Sequence, residues 1–195
     1  YIRCNTSKAS REQIKELLQL ENVTVKEVEN IPYAYEISDY DYIAGLKSFQ
    51  DGMYQIQDIS SMLAGEYTAP KAGDTIVDVC GAPGGKSINA ALKMSEQGDC
   101  GRVIARDLSD YKVALIDENI KRLNITNIQT QVYDALDCDE SLINKADIVI
   151  ADLPCSGLGI IGRKPDIKYN ASPEKLQSLV DLQRDILKVV SRYVK

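Results

Sequence analysis

The stretch that most limits what this chain can fold into runs from Thr75 to Ser87: Thr-Ile-Val-Asp-Val-Cys-Gly-Ala-Pro-Gly-Gly-Lys-Ser. Ile76, Val77 and Val79 form the short apolar run of a buried strand. Gly81 and Gly84-Gly85 interrupt it, and Ser87 to Met94 then carries helical spacing. A strand that breaks through a glycine turn into a helix brings bare backbone close to a ligand, facing the N–H groups and positive end of that helix. The turn is therefore expected to hold something polar or anionic, with Asp78 near the strand end as an added acceptor.

The chain around it alternates strand and helix patterns. Val103 to Asp107 reads as a second strand, and Ser109 caps a helix carried by Val113, Ile116, Ile120 and Leu123. Asn127 to Val132 and Asp147 to Asp152 read as third and fourth strands. Ser172-Pro173 opens a last helix through Leu176, Leu179, Val180, Leu187 and Val190, with proline suited to the first helical position. Such alternation predicts an α/β fold with a parallel, doubly wound sheet. Residues 1–55 differ. Tyr1 to Cys4 reads as a strand, Ser10 and Gln13 as a capping box before a helix of Ile14, Leu17 and Leu18 that ends near Leu20, and Val23 to Val28 as a half-buried strand. Residues 30–52 suggest turns and short strands, and residues 58–67 a helix. The expected organisation is a small α+β lobe over 1–55 and the α/β domain over 56–195.

Spacing narrows the ligand. A P-loop requires four residues between its first glycine and Gly-Lys-Ser, one more than separate Gly81 from Gly85, and Pro83 removes an N–H that a phosphate cradle would use. The G-x-G-x-x-G dinucleotide fingerprint is absent. What remains is a nucleoside with a charged amino-acid tail, S-adenosylmethionine. Ligands in such folds lie outside the carboxyl ends of the strands, where Asp107, Asp134 and Asp152 fall. Asp107 is placed to accept ribose hydroxyls and Asp134 an adenine amino group, although each aspartate taken singly also reads as a helix cap or loop residue. Asp152-Leu-Pro-Cys-Ser-Gly157 then presents a thiol at the same edge, and Arg163, Lys164 and Lys168 form a basic loop that could hold a nucleic-acid backbone. A structural cysteine and a solvated loop are the competing readings.

Histidine is absent, so the chain contains no Ser-His or Cys-His catalytic pair. Its five scattered cysteines, without a C-x-x-C pair, argue against a zinc site and against a disulfide framework, and point to a reducing, cytoplasmic setting. No metal is expected. A net charge of −6 counts against a broadly basic nucleic-acid surface but leaves room for a local one. No apolar run approaches the ~20 residues of a membrane span.

The two motifs Asp78-Val-Cys-Gly-Ala-Pro-Gly-Gly-Lys-Ser87 and Asp152-Leu-Pro-Cys-Ser-Gly157 together resemble the NOL1/NOP2/Sun family of RNA cytosine-5 methyltransferases. The loop Arg163-Lys-Pro-Asp-Ile-Lys168 looks most like its bacterial 16S ribosomal RNA methyltransferase B (Sun) branch. The likeness extends to Ile2-Arg-Cys-Asn-Thr6 and to Asp51-Gly-Met-Tyr-Gln-Ile-Gln-Asp58 at the entry to the α/β domain. It implies a Rossmann-like methyltransferase sheet that contacts S-adenosylmethionine through Cys80, Gly81, Ala82, Pro83, Gly84, Gly85, Lys86, Asp107, Asp134 and Asp152, with 16S rRNA as the partner. It also implies that Cys155 assists product release, while the thiol that adds to cytosine C6 belongs to a later Thr-Cys motif. No such motif occurs in the chain, so the attacking thiol is expected downstream of Lys195. The sequence is then a fragment that stops short of that motif and, starting at Tyr1, is not expected to begin at the gene's start. A noncatalytic RNA-binding scaffold and, on the glycine turn alone, a P-loop NTPase are the other readings.

Overall fold

The computed structural model describes every residue of the chain except 99, 100, 163 and 171. In chain order its elements are β1 (Ile2–Cys4), α1 (Arg11–Leu20), β2 (Thr24–Glu27), β3 (Ala34–Ser38), α2 (Lys47–Gln50), β4 (Tyr54–Ile56), α3 (Ile59–Thr68), β5 (Thr75–Asp78), α4 (Gly85–Ser95), β6 (Arg102–Asp107), α5 (Asp110–Leu123), β7 (Ile128–Val132), β8 (Ile148–Ile150), α6 (Ile167–Asn170) and α7 (Pro173–Val190).

The first four strands make an antiparallel sheet in the order β2-β3-β1-β4. Helix α1 covers it through Ile14 and Leu18, one turn apart and fully buried against Ile2, Tyr35 and Tyr54. Its start is fixed as expected. The Ser10 hydroxyl accepts from the Gln13 N–H, and the Gln13 side chain accepts from the Ser10 N–H, a reciprocal cap worth roughly 1 kcal/mol. Residues 30–52 depart from the expected turns and short strands, because they also contain the helical turn α2. The Glu21 carboxylate accepts from the Ser48 N–H at 3.0 Å and so satisfies a donor that a four-residue helix leaves open.

The remaining strands make a parallel sheet in the order β7-β6-β5-β8. Central β5 pairs in register with β6, Ile76 beside Val103 and Asp78 beside Ala105, and with β8, Val77 beside Val149. Neighbouring residues of β5 point to opposite faces, so Ile76 joins a core with Ile88, Met94, Val103 and Leu123. Val77 joins another with Ile104, Ile186, Val190 and Tyr193. Burying each such side chain contributes about 1.5–3 kcal/mol, which explains why β5 is apolar at its two central positions, Ile76 and Val77.

Two expectations need correction. The fourth strand is Ile148–Ile150, shorter than Asp147 to Asp152, because the last ladder bond is that of the Val79 N–H to the Ile150 carbonyl. Asp152 therefore lies past the strand end, with its side chain 62% exposed. Helix α7 buries Ile186 and Val190, with Leu182 half-buried, whereas Val180 and Leu187 of the expected stripe face outward.

After α7 the chain returns to the near end of β8. Val194 makes a parallel bridge to Ala146, and the Lys195 N–H donates to the Ala146 carbonyl at 3.0 Å. Lys195 Nζ pairs with Asp147 Oδ1 at 2.6 Å, while Asp147 Oδ2 accepts from the Thr75 N–H at 2.9 Å.

The two sheets are joined through the end of α5. The Arg122 guanidinium donates to the carbonyls of Phe49 at 2.9 Å and Tyr54 at 3.0 Å, bonds the Gln55 side chain, and stacks 3.9 Å from the Phe49 ring centroid. The Asn5 amide donates to the Leu123 and Gly52 carbonyls. These contacts hold the antiparallel sheet against the parallel one, and the segment after β4 enters the site described next.

Candidate functional site

Past Asp78 the chain turns through Cys80, Gly81, Ala82, a cis peptide bond to Pro83, and Gly84 before α4 begins. Gly84 has φ of 99°, and a Cβ there would press on Ile116 and Ile88 at 3.2 Å, so a side chain would be strained in both backbone and space. Gly81 is limited by crowding. A Cβ on it would lie 3.3 Å from the Asp78 carboxylate and from the Ser87 hydroxyl. The turn is pinned to its neighbours by the Gly81 N–H donating to the Arg106 carbonyl at 2.8 Å and the Ala82 N–H donating to Asp107 Oδ2 at 3.1 Å.

Asp107 ends β6, as the pattern predicts, and is 4% exposed. Its Oδ1 accepts from the Leu108 N–H at 2.8 Å and from Lys112 Nζ at 3.0 Å. Asp134 sits in the turn after β7, where its Oδ1 accepts from the Leu136 N–H. Both carboxylates line one cavity of about 300 Å³ with Leu108, Tyr133, Leu136 and Pro154. Its walls mix apolar side chains with acidic acceptors, the combination that a purine and its ribose require.

A second cavity of about 240 Å³ lies on the other side of the turn, lined by Gly81, Gly85, Lys86, Gln57, Asp58 and Ser61 among others. Cys80, Ala82 and Asp152 line both cavities, so the two adjoin at the turn. Lys86 Nζ pairs with Asp152 Oδ2 at 2.5 Å and bonds the Ser61 hydroxyl at 3.4 Å. Asp78 is 1% exposed, and its Oδ2 accepts from the Ser87 hydroxyl at 2.6 Å. Burial raises its pKa to about 6, against the Ser87 hydroxyl, the Cys80 N–H and the charge of Lys86, which favour the carboxylate. Burial, with the nearby charges of Asp107 and Asp78, pushes the Cys80 thiol up to about 11, so at neutral pH it is protonated.

All the turn residues named from the sequence thus meet at one edge, with Asp107, Asp134 and Asp152 around them. Cys155 is exposed and lines neither cavity, although its neighbours Asp152 and Pro154 do. Lys164 is exposed and Lys168 places its ammonium 4.8 Å from the Tyr169 ring, so both stand on the outer surface beyond the cavities. Arg163 lies outside the described residues. Lys195 is not at this edge: its partners Ala146 and Asp147 precede β8, whereas Asp152 follows it, and Lys195 lines neither cavity. The sequence pattern does not single out Leu108 and Lys112, which hold Asp107, or Gln57, Asp58 and Ser61, which close the second cavity from the segment after β4 and the start of α3. Asp107-Leu108 and Gln57-Asp58 adjoin segments whose pattern was read for strands and helices, so position relative to an element's end was the signal available. Among the described residues no group of His, Cys, Asp and Glu could hold a metal ion, and no helix is long and apolar enough to cross a membrane.

Fold and site together define a Rossmann-like methyltransferase sheet with a glycine turn at its ligand edge. A methyltransferase homologue protein from Pyrococcus horikoshii superposes with a TM-score of 0.83 at 25% identity, over 100% of this chain and 60% of that one. A crystal structure of a protein named PH0851 superposes at 0.92 with 30% identity, over 100% of this chain and 43% of that one. The sequence model of the family described as 16S rRNA methyltransferase RsmB/F matches residues 66–195. The chain belongs to that family. Over its whole length it is 37% identical to the probable ribosomal RNA small subunit methyltransferase B of Bacillus subtilis (strain 168), and it spans 43% of that protein's length.

Proposed function

We propose that the protein carrying this chain methylates cytosine C5 in small-subunit ribosomal RNA with S-adenosylmethionine, and that these residues hold the cofactor. The observation that carries the reading is the pair of adjoining cavities. Both mix apolar and polar walls: one is the more apolar, with Asp107 and Asp134 at its wall, and the other is the more polar, with Asp78 and Lys86. An adenosine fits the first and a charged amino-acid tail the second, with the sulfonium between them beside Cys80 and Ala82. Bound there, the cofactor supplies an electrophilic methyl group.

The chain's own residues orient and exclude. Asp107, already fixed by the Ala82 and Leu108 N–H groups and by Lys112, presents carboxylate oxygens to ribose hydroxyls without reorganising. The glycines let the backbone approach, and the exposed lysines Lys164 and Lys168, with Arg163, contact RNA phosphates. Residues 1–55 form a lobe that adds to the RNA-binding face. Burial and the neighbouring carboxylates keep the Cys80 thiol protonated at neutral pH, which counts against it as the attacking thiol. Cys155, exposed beside the cavities, assists release, and the thiol that adds to C6 comes from elsewhere in the protein.

Calorimetry with S-adenosylmethionine and with ATP tests the cofactor assignment: binding of the first alone supports it, and binding of ATP alone replaces it with a nucleotidase reading. The cysteine roles are tested by incubating the intact protein with target RNA and cofactor on a denaturing gel. Cys155→Ala should trap a slow-migrating protein–RNA adduct, because addition proceeds while release is impaired. Loss of that band in Cys155→Ala would make Cys155 the nucleophile.

A further inference from the structure

We propose that Gln57 is a specificity residue of the second cavity, binding the α-carboxylate of the cofactor's amino-acid tail opposite Asp78, which takes the ammonium. This rests on the S-adenosylmethionine reading and extends it to a residue contributed by the segment after β4. Gln57 is 6% exposed and lines the cavity beside Gly85 and Lys86. Arg3 Nε, reaching across from β1, donates to its Oε1 at 2.7 Å. An arginine can only donate, so this bond fixes which end of the amide is oxygen and turns Nε2 the other way. Nε2 is buried and has no hydrogen-bond partner among the described residues.

A buried amide donor left unpaired is costly, and the arrangement makes sense when a ligand supplies the acceptor. The position of Nε2 specifies where. A Cβ built on Gly85 would lie 3.5 Å from it, so the amide nitrogen stands against the first turn of α4, whose N–H groups also favour negative charge. Asp78 lines the same cavity, and its Oδ1 is likewise buried and without a hydrogen-bond partner among the described residues. One orphaned donor and one orphaned acceptor in a cavity of about 240 Å³ complement a zwitterion, one end each. A phosphate would leave Asp78 unsatisfied and would face three lining carboxylates, Asp58, Asp78 and Asp152. An apolar tail would leave both orphans.

The test is calorimetric titration of the protein with S-adenosylmethionine and with its decarboxylated form, which keeps the ammonium and lacks the carboxylate. Gln57→Glu retains an oxygen for Arg3 while replacing the donor with a second anionic oxygen. The wild type should bind the decarboxylated form about ten- to a hundredfold more weakly, the usual range for a hydrogen bond to a charged group. Gln57→Glu should lose a similar factor for S-adenosylmethionine and keep its affinity for the decarboxylated form within about twofold. Gln57→Met, which removes the donor without adding charge, should show the same selectivity and serves if the glutamate variant does not fold. Equal weakening of both ligands would reduce Gln57 to a structural prop and overturn the proposal. So would unchanged binding of both with a raised KM for RNA, which would place the amide on the nucleic-acid side. Failure of the wild type to bind either ligand would overturn the cofactor reading itself, and is distinct from every outcome that concerns Gln57 alone.

Discussion

Asp78→Asn should make the protein more stable at neutral pH relative to acid, and the size of the change follows from where the carboxylate sits. Its pKa is raised from 3.8 to about 6, chiefly by burial. A raised acid pKa means that the folded state holds the proton more tightly than the unfolded chain does. The resulting penalty is absent below the unfolded value and complete once pH has risen through the folded one. A carboxylate raised that far corresponds to about 3 kcal/mol at most, of which about half develops between roughly pH 5 and pH 8. Asparagine can still accept from Ser87 and does not titrate, so any fixed cost of its unpaired amide cancels when the two pH values are compared. Urea denaturation of both proteins, without ligand, at those two pH values gives the number. The stability difference, variant minus wild type, should rise by about 1–2 kcal/mol towards pH 8. A difference independent of pH would refute the argument that a desolvated carboxylate is stored at this position. S-adenosylmethionine should stabilise the wild type more than the variant, because the wild type alone offers a counter-charge to the ammonium.

Three further outcomes follow from the same geometry. Asp107→Ala should weaken S-adenosylmethionine binding by about 1.5–3 kcal/mol by calorimetry, with circular dichroism checking that the fold survives the loss of its bonds to Ala82, Leu108 and Lys112. Gly84→Ala should lower stability by about 1–3 kcal/mol in a denaturant melt, since it adds a methyl group against Ile116 and Ile88 at a φ of 99°. Arg106→Ala should cost about 2–3 kcal/mol in the same assay, because the nearly buried guanidinium pairs with Asp139, donates to Gln131 at 2.8 Å and stacks 4.1 Å from the Tyr133 ring centroid.

The features visible in the sequence were those whose physics is local. The run before Gly81, the caps at Ser10, Ser109 and Ser172, and the helical spacing of Val113, Ile116 and Leu123 each depend on residues within a turn or two of one another. Asp107 was legible because a polar residue ending an apolar run has few places to go. Helix α7 was less so: Val180 and Leu187 keep helical spacing as well as Leu182, Ile186 and Val190 do, and which stripe is buried depends on how the helix meets Val77 and Ile104. Gln57 was passed over for a similar reason. Its significance comes from Arg3, 54 residues earlier, and from Gly85 on another element, and neither leaves a periodic trace around position 57.

The Arg3–Gln57 bond ties the antiparallel sheet to a wall of the proposed ligand site. Free energy gained by filling the cavity is therefore shared with the docking of that sheet, and Arg122 transmits it along a second line of contact. A saturating ligand should protect the junction around residues 50–58 from proteolysis and slow hydrogen exchange in β1 and β4, not only in the turn itself. Grafting the sheet of a relative onto this domain would then alter ligand affinity even with every turn residue unchanged, because the donor at position 57 is aimed from the far side of the boundary.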